Sequence, residues 1–196
     1  MSVAAPEEVV FNSRLIADRR FWITRLSGEL GDSNLVPDYE RPRTYVADTG
    51  VVAFDIEGDL YGRIARLTNG SPFLLYAALT SALKICLHKY RGGASVVVGR
   101  PPMLDAGRGA GEANALAIVD ELDGQQSFRQ LLLQVRSSLL EAYARQSYPF
   151  ELLVEDLGLG GVENRCPLFD CALVLESIHG VLPALRNDDT LTFSER

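Results

Sequence analysis

The sequence predicts an α/β layer fold, and three observations carry that expectation. A long apolar segment over residues 72–90 opens with helix-start chemistry and closes on Gly92-Gly93. A strand of the fully buried type, Ser95-Val-Val-Val-Gly99, follows at once. Further on, an amphipathic helix pattern over 127–146 precedes an alternating run at 168–176. Strands mixed with packed helices require a layered architecture, and their order lacks the regular alternation of a doubly wound nucleotide-binding sheet.

The elements follow in chain order. Residues 6–27 predict a helix: Val9, Val10, Leu15, Ile16, Phe21, Trp22, Ile23 and Leu26 recur at three-to-four spacing, and Gly28 suits its stop. Residues 29–47 read as a loop with Pro37 and Pro42, and residues 50–57 as a strand rich in β-formers. Asp59 is placed to cap a short helix over 60–67. Asn69-Gly70-Ser71-Pro72 is a turn followed by Ser as N-cap and Pro at the first helical position, so a helix runs from there to about Tyr90.

After the strand at 95–99, residues 100–111 are Gly- and Pro-rich loop, and residues 114–122 predict a second strand. Ser127 caps a helix to about Gln146 with Leu131, Leu132, Val135, Leu139, Leu140 and Tyr143 on one face, broken by Pro149. A short helix over 150–157 ends at the glycines of 158–161. Residues 168–176 predict a strand with Phe169, Cys171, Leu173 and Leu175 alternating, and Thr190-Leu-Thr-Phe-Ser194 looks like the start of another.

A formal charge of −7 argues against a general nucleic-acid binder, which needs a basic face. The arginines near the start (Arg14, Arg19, Arg20, Arg25) read as a solvated helix face. The longest apolar run, residues 73–87, falls short of the roughly 20 residues a bilayer requires and contains Lys84, so no membrane partner is expected. The first eight residues have no basic region leading into an apolar core, so they do not read as a secretory signal. Cys86, Cys166 and Cys171 form neither a disulfide framework nor a Cys-x-x-Cys pair; they are expected to be reduced, mostly packed thiols in a cytoplasm, with no metal site. No Gly-x-Ser-x-Gly elbow or Walker loop occurs, and Gly107-Arg-Gly-Ala-Gly111 does not fit a dinucleotide fingerprint. Pairs such as Glu155-Asp156 and Asp188-Asp189 show no partner that would make them hydrolytic carboxylates.

Five segments in order carry a family resemblance. They are Arg20-Phe-Trp-Ile-Thr-Arg-Leu-Ser-Gly28, Val36-Pro-Asp-Tyr-Glu-Arg-Pro42, the helix and strand running from Ser71 to Gly99, Gln146-Ser-Tyr-Pro-Phe-Glu151, and Pro167-Leu-Phe169. Together they resemble the C-terminal half of a nonribosomal peptide synthetase condensation domain. The resemblance implies a chloramphenicol acetyltransferase-like lobe, a mixed sheet packed with helices, spanning residues 1–196 as a single lobe that stops before the family's final elements. Condensation domains join two carrier-tethered substrates through an amide bond, with a His-His-x-x-x-Asp-Gly loop in the first lobe. This chain has only His88 and His179, so that motif is not in it, and no residue here is expected to be catalytic.

By the same resemblance, Gly99, Arg100, Asn114, Tyr148, Pro149, Phe150 and Phe169 are the expected substrate-channel or docking residues. The expected partners are a peptidyl carrier protein with its phosphopantetheine arm, neighbouring synthetase domains, and a missing N-terminal lobe or a second copy. No covalently bound cofactor is implied. Departures accompany the match: Arg145 stands where His is usual, Gly111 and Glu112 where Phe is expected, and Val119 where Arg is common. The loop before Asn114 is also shorter than the family pattern. The changes at Gly111, Glu112 and Val119 and the short loop affect the channel floor and support an alternative, a non-catalytic docking module. A third reading, an independent acyltransferase using His88, draws on a superficial likeness of His88-Lys-Tyr-Arg-Gly-Gly93 to His-x-x-x-Asp-Gly. Gly92 stands where the loop-fixing Asp belongs, and a cationic group near a helix C-terminus is explained by the helix dipole.

Overall fold

The computed structural model describes residues 13–28, 38–40, 42, 50–103, 114–159 and 165–180. Its elements are α1 (Ser13–Leu26), α2 (Gly58–Thr68), α3 (Pro72–Arg91), β1 (Ser95–Arg100), β2 (Leu116–Glu121), α4 (Phe128–Tyr143), α5 (Phe150–Asp156) and α6 (Glu176–His179). The first residues of the expected opening helix and the run at 190–194 lie outside the described residues.

Local chemistry explains the two long helices. Ser71 caps α3 by accepting from the Leu74 amide, Pro72 opens it, and Gly92 closes it in the left-handed conformation at φ 75°. Ser127 and Gln130 form a complete capping box at the start of α4. These helices pack on each other and on an antiparallel pair, β1–β2, registered Val97↔Val119 and Gly99↔Ala117. Every residue of β1 after Ser95 is buried, as its unbroken apolar run requires. The core joins Val96–Val98 and Leu116–Val119 to Tyr76, Ala77 and Leu87 of α3, to Leu131, Val135, Leu139 and Ala142 of α4, and to Trp22 and Leu26 of α1.

Several expectations need correction. Residues 50–57 form no strand: Val51, Val52 and Phe54 are exposed, and no neighbouring chain among the described residues pairs with them. β-Propensity records packing against neighbours, so without a partner the β-formers alone do not make a strand. The N-cap of α2 is Glu57, without a side-chain bond, while Asp59 sits in the first turn. α4 ends at Tyr143; residues 144–147 tighten into turns, and Pro149 is the N-cap of α5 rather than the breaker of α4. Leu140 is 46% exposed, so the buried stripe of α4 is narrower than expected. Cys86 lies on the exposed side of α3, and Cys86, Cys166 and Cys171 form no disulfide.

The run at 168–176 makes one rung rather than a full strand. Ala172 bridges Gly99 in parallel, the Gly99 amide donating to Cys171 (2.8 Å) and the Leu173 amide to the Gly99 carbonyl (3.0 Å). The chain then turns into α6. Among the described residues no single helix is long and apolar enough to cross a membrane.

Candidate functional site

Successive β-strand side chains point to opposite faces, and the end of β1 uses this to divide the seven expected residues into two groups. Gly99 faces the 165–173 segment, whereas Arg100 turns toward α3 and α4.

On the first face, Phe169 lies directly over Gly99. A Cβ added there would stand 2.0 Å from the ring, so only glycine admits the aromatic ring at this rung. Phe150 meets Phe169 at 5.8 Å between centroids. Asn114 holds the neighbouring turn. Its amide nitrogen donates to the carbonyls of Gln146 (2.8 Å) and Tyr148 (3.0 Å), and its Oδ1 accepts from the amides of Phe150 (2.8 Å) and Ala115 (3.0 Å). Gln146 Oε1 accepts from the Met103 amide at 2.8 Å, which ties the same turn to the end of the β1 loop. Pro149 starts α5, and Tyr148 is buried.

The turn is also fastened to α1. Tyr148 Oη donates to Asp156 at 2.5 Å, Arg19 grips the same carboxylate through Nε and Nη2 (2.8 and 2.7 Å), and Trp22 Nε1 donates to the Arg145 carbonyl at 3.2 Å. Hydrogen bonding from Arg19 holds the Asp156 carboxyl below its ordinary range. Arg145, in the position where His was expected, stacks on Phe21 at 4.1 Å. The polar residues of this turn therefore hold the backbone, and Asn114 satisfies every partner its amide reaches. Asn114→Ala will leave two carbonyls and two amides short of a partner at once. The expected loss is about 2–3 kcal/mol, read from urea unfolding, with Asn114→Asp recovering only the acceptor half.

On the second face, Arg100 is 1% exposed although it carries a guanidinium. It lies 3.2 Å from the centre of the Tyr143 ring and 5.6 Å from that of Tyr76. Tyr76 Oη donates to the Leu173 carbonyl (2.9 Å), and its ring meets His179 edge-on at 4.8 Å. Burial lowers Arg100 to about 10, so it keeps its charge at neutral pH, and raises Tyr76 to about 12.

His179 lies 3.1 Å from Tyr143 Oη through Nε2, and its Nδ1 accepts from the Leu175 amide at 3.0 Å. The Leu175 carbonyl already takes the amides of Ile178 and His179. The ring proton therefore sits on Nε2 and is donated to Tyr143, leaving no free lone pair for base catalysis.

Burial, with Arg100 adding repulsion, lowers His179 from 6.5 to about 4. Below pH 6.5 the unfolded chain takes up a proton that the folded chain refuses, so stability falls as pH drops from 6.5 to 4 and levels off below. The expected loss over that window is on the order of 3 kcal/mol. Denaturant midpoints at stepped pH will show it, and His179→Gln will remove most of that slope.

His88, the other histidine, stays in α3: Nδ1 lies 2.7 Å from the Gly93 carbonyl and the Gly92 amide caps its carbonyl. Among the described residues no three His, Cys, Asp or Glu side chains are placed to hold a metal ion. Tyr76, Tyr143 and His179 were not among the expected site residues, because they come from three separate helices with no shared local pattern. The one local signal was an arginine directly after a strand of buried type, and the structure extends that strand to Arg100.

The family model described as Condensation domain matches residues 7–195. The chain is 33% identical over 176 residues to surfactin synthase subunit 1 of Bacillus subtilis (strain 168), covering 86% of this chain and 5% of that protein. To gramicidin S synthase 2 of Brevibacillus brevis it is 31% identical over 175 residues, covering 85% and 4%. Among solved structures, the X-domain in complex with OxyB from teicoplanin biosynthesis superposes with a TM-score of 0.69 at 24% identity, covering 82% of this chain and 36% of that one. A four-domain nonribosomal peptide synthetase bound to AMP and glycine gives 0.69 at 23% identity, covering 84% and 13%. The chain thus spans a small fraction of each synthetase, and the fold it shares with these structures is the expected α/β lobe.

Proposed function

This chain belongs to the condensation-domain family, and on that premise we propose that it is the C-terminal lobe of a nonribosomal peptide synthetase condensation domain. In the complete domain an acceptor amine attacks the thioester carbonyl of a donor on a carrier protein. The C–N bond forms, the C–S bond breaks, and the amine proton passes to a general base while the phosphopantetheine thiol leaves. The observation that carries the division of labour is the state of the two histidines. His88 is held against Gly93 at the end of its helix, and His179 is buried as a donor to Tyr143. His179 offers no free lone pair, and His88 stands at the end of its helix without the His-His-x-x-x-Asp-Gly loop around it, so under this reading the chain depends on an imidazole supplied by another lobe.

The role left to these residues is positional. The knot around Asn114 and the Phe150–Phe169–Gly99 contact would form channel wall and docking surface for the phosphopantetheine arm. The partners under this reading are a peptidyl carrier protein, adjoining synthetase domains, and the N-terminal lobe. We place the reaction in the cytoplasm, where the Cys86, Cys166 and Cys171 thiols, which form no disulfide, stay reduced.

A second reading keeps the docking and drops the turnover. Gly111, Glu112 and Val119 depart from the family's channel-floor pattern, and the X-domain with a similar fold is recorded in complex with OxyB. Titrating the labelled chain with a phosphopantetheinylated carrier protein, with and without an added N-terminal lobe, separates the two. Saturable shifts plus amide product on adding the lobe support the condensation reading. Saturable shifts without product support the docking module. No shifts at all overturn both.

A further inference from the structure

We propose that Arg100, stacked on Tyr143 between α3 and α4, is the anchor of an internal binding site for a carboxylate. The argument starts from the donors of the guanidinium. Arg100 Nε donates to the Pro101 carbonyl at 3.2 Å, but Nη1 and Nη2 are both buried and find no acceptor among the described residues. Stacking does not satisfy them. The Tyr143 ring at 3.2 Å engages the flat face of the guanidinium, whereas its N–H groups point outward in the plane. A buried cation with unmade hydrogen bonds is costly, and proteins keep one where an anion completes it.

The surroundings select the anion. Two N–H groups in a planar fork match the two oxygens of a carboxylate. The positive charge at the cluster is a single one, because His179 is neutral at physiological pH, so a monoanion balances it and a phosphate dianion does not. Tyr143 receives its hydrogen bond from His179 Nε2 and keeps its own hydroxyl proton to give. Arg100 is the last residue of β1, and residues 101–103 beside it are only half-buried, so under this proposal a ligand approaches from that side. Four elements converge here, β1, α3, α4 and α6, on side chains that serve no part in the Asn114 knot. The proposal does not depend on the carrier-protein reading.

The test uses the full chain, labelled with 15N, titrated with acetate and then succinate at constant ionic strength, with chloride as control. The Arg100 Nε–Hε signal, identified by its loss in Arg100→Lys, should shift saturably with carboxylate and not with chloride. Tyr143→Phe keeps the stacked ring and should weaken binding about fivefold, the worth of one neutral hydrogen bond. A shift that chloride reproduces, or no saturable shift in the folded chain, overturns the proposal. A third arm replaces Asp188 and Asp189 with Asn. Saturable binding that appears only in that variant means the chain's own acid fills the site, which also overturns a free-ligand role.

Discussion

Gly99→Val will cost about 4 kcal/mol or more, at the upper end of what single substitutions do. The reason is local and geometric. The first added carbon would stand 2.0 Å from Phe169 Cε2, with Cδ2 and Cζ at 2.2 and 2.4 Å. The ring is not at the end of a flexible tether; it belongs to the segment whose Cys171 carbonyl and Leu173 amide bond to the Gly99 backbone. Moving the ring therefore breaks the rung that joins residues 171–173 to β1. At about 2–4 °C per kcal/mol for a chain of this size, the thermal midpoint should fall by about 10 °C. Gly99→Ala should be milder but of the same sign. Adding Phe169→Ala should make the double variant lose less than the sum of the two singles, because each change relieves the other. Strictly additive losses would mean that the ring is free to swing aside and that glycine has no special role there.

Lys84→Met will cost about 3–5 kcal/mol, for a different reason. Lys84 is fully buried in the centre of α3. Its ammonium donates to the carbonyls of Val96 (2.8 Å) and Ile118 (2.6 Å), and stands 3.0 Å from Asp120 Oδ2, close enough for a Coulombic pair though poorly aligned for a hydrogen bond. It thus clamps both strands to the helix. Burial pulls its pKa down and Asp120 opposes that shift. Removing the ammonium leaves a buried carboxylate whose remaining partner is the Ser138 hydroxyl at 2.6 Å, itself held by Arg25 at 2.6 Å. The methionine fills the space but not the charge, so the loss is electrostatic. Lys84→Met with Asp120→Leu should return most of the stability, since an apolar pair of similar volume avoids desolvating two ions. If the double variant is no better than the single, the clamp on the strand carbonyls, rather than the charge, carries the effect.

The contrast between these residues shows what could be read from the chain and what could not. The caps of α3 and α4 were legible because Ser71-Pro72 and Ser127 with Gln130 act within a few residues of themselves. The glycine stop at Gly92 and the buried character of β1 were legible for the same reason. The strand expected at 50–57 fails because strand formation needs a neighbour, and the composition of one segment says nothing about whether it has one. Lys84 looked like a polar interruption of an apolar run; its partner Asp120 lies on another element, and no periodicity links them. The family motif around Gln146–Glu151 marked the right turn without revealing why Asn114 belongs to it. That answer needed the three hydrogen bonds by which Asn114 fastens residues 146–150 to the start of β2. The split between Gly99 and Arg100 follows from strand alternation once β1 runs on to Arg100, one residue past the expected strand end, and its consequence, a guanidinium among Tyr76, Tyr143 and His179, depended on how three helices come together.

The most direct test follows amide formation by mass spectrometry between a donor and an acceptor, each loaded on its own carrier protein. One arm holds this chain alone; the other adds an N-terminal lobe bearing His-His-x-x-x-Asp-Gly. The expected result is no amide above background in the first arm and product in the second. Amide formed by this chain unaided, and abolished by His88→Ala or His179→Gln, would contradict the account at its centre.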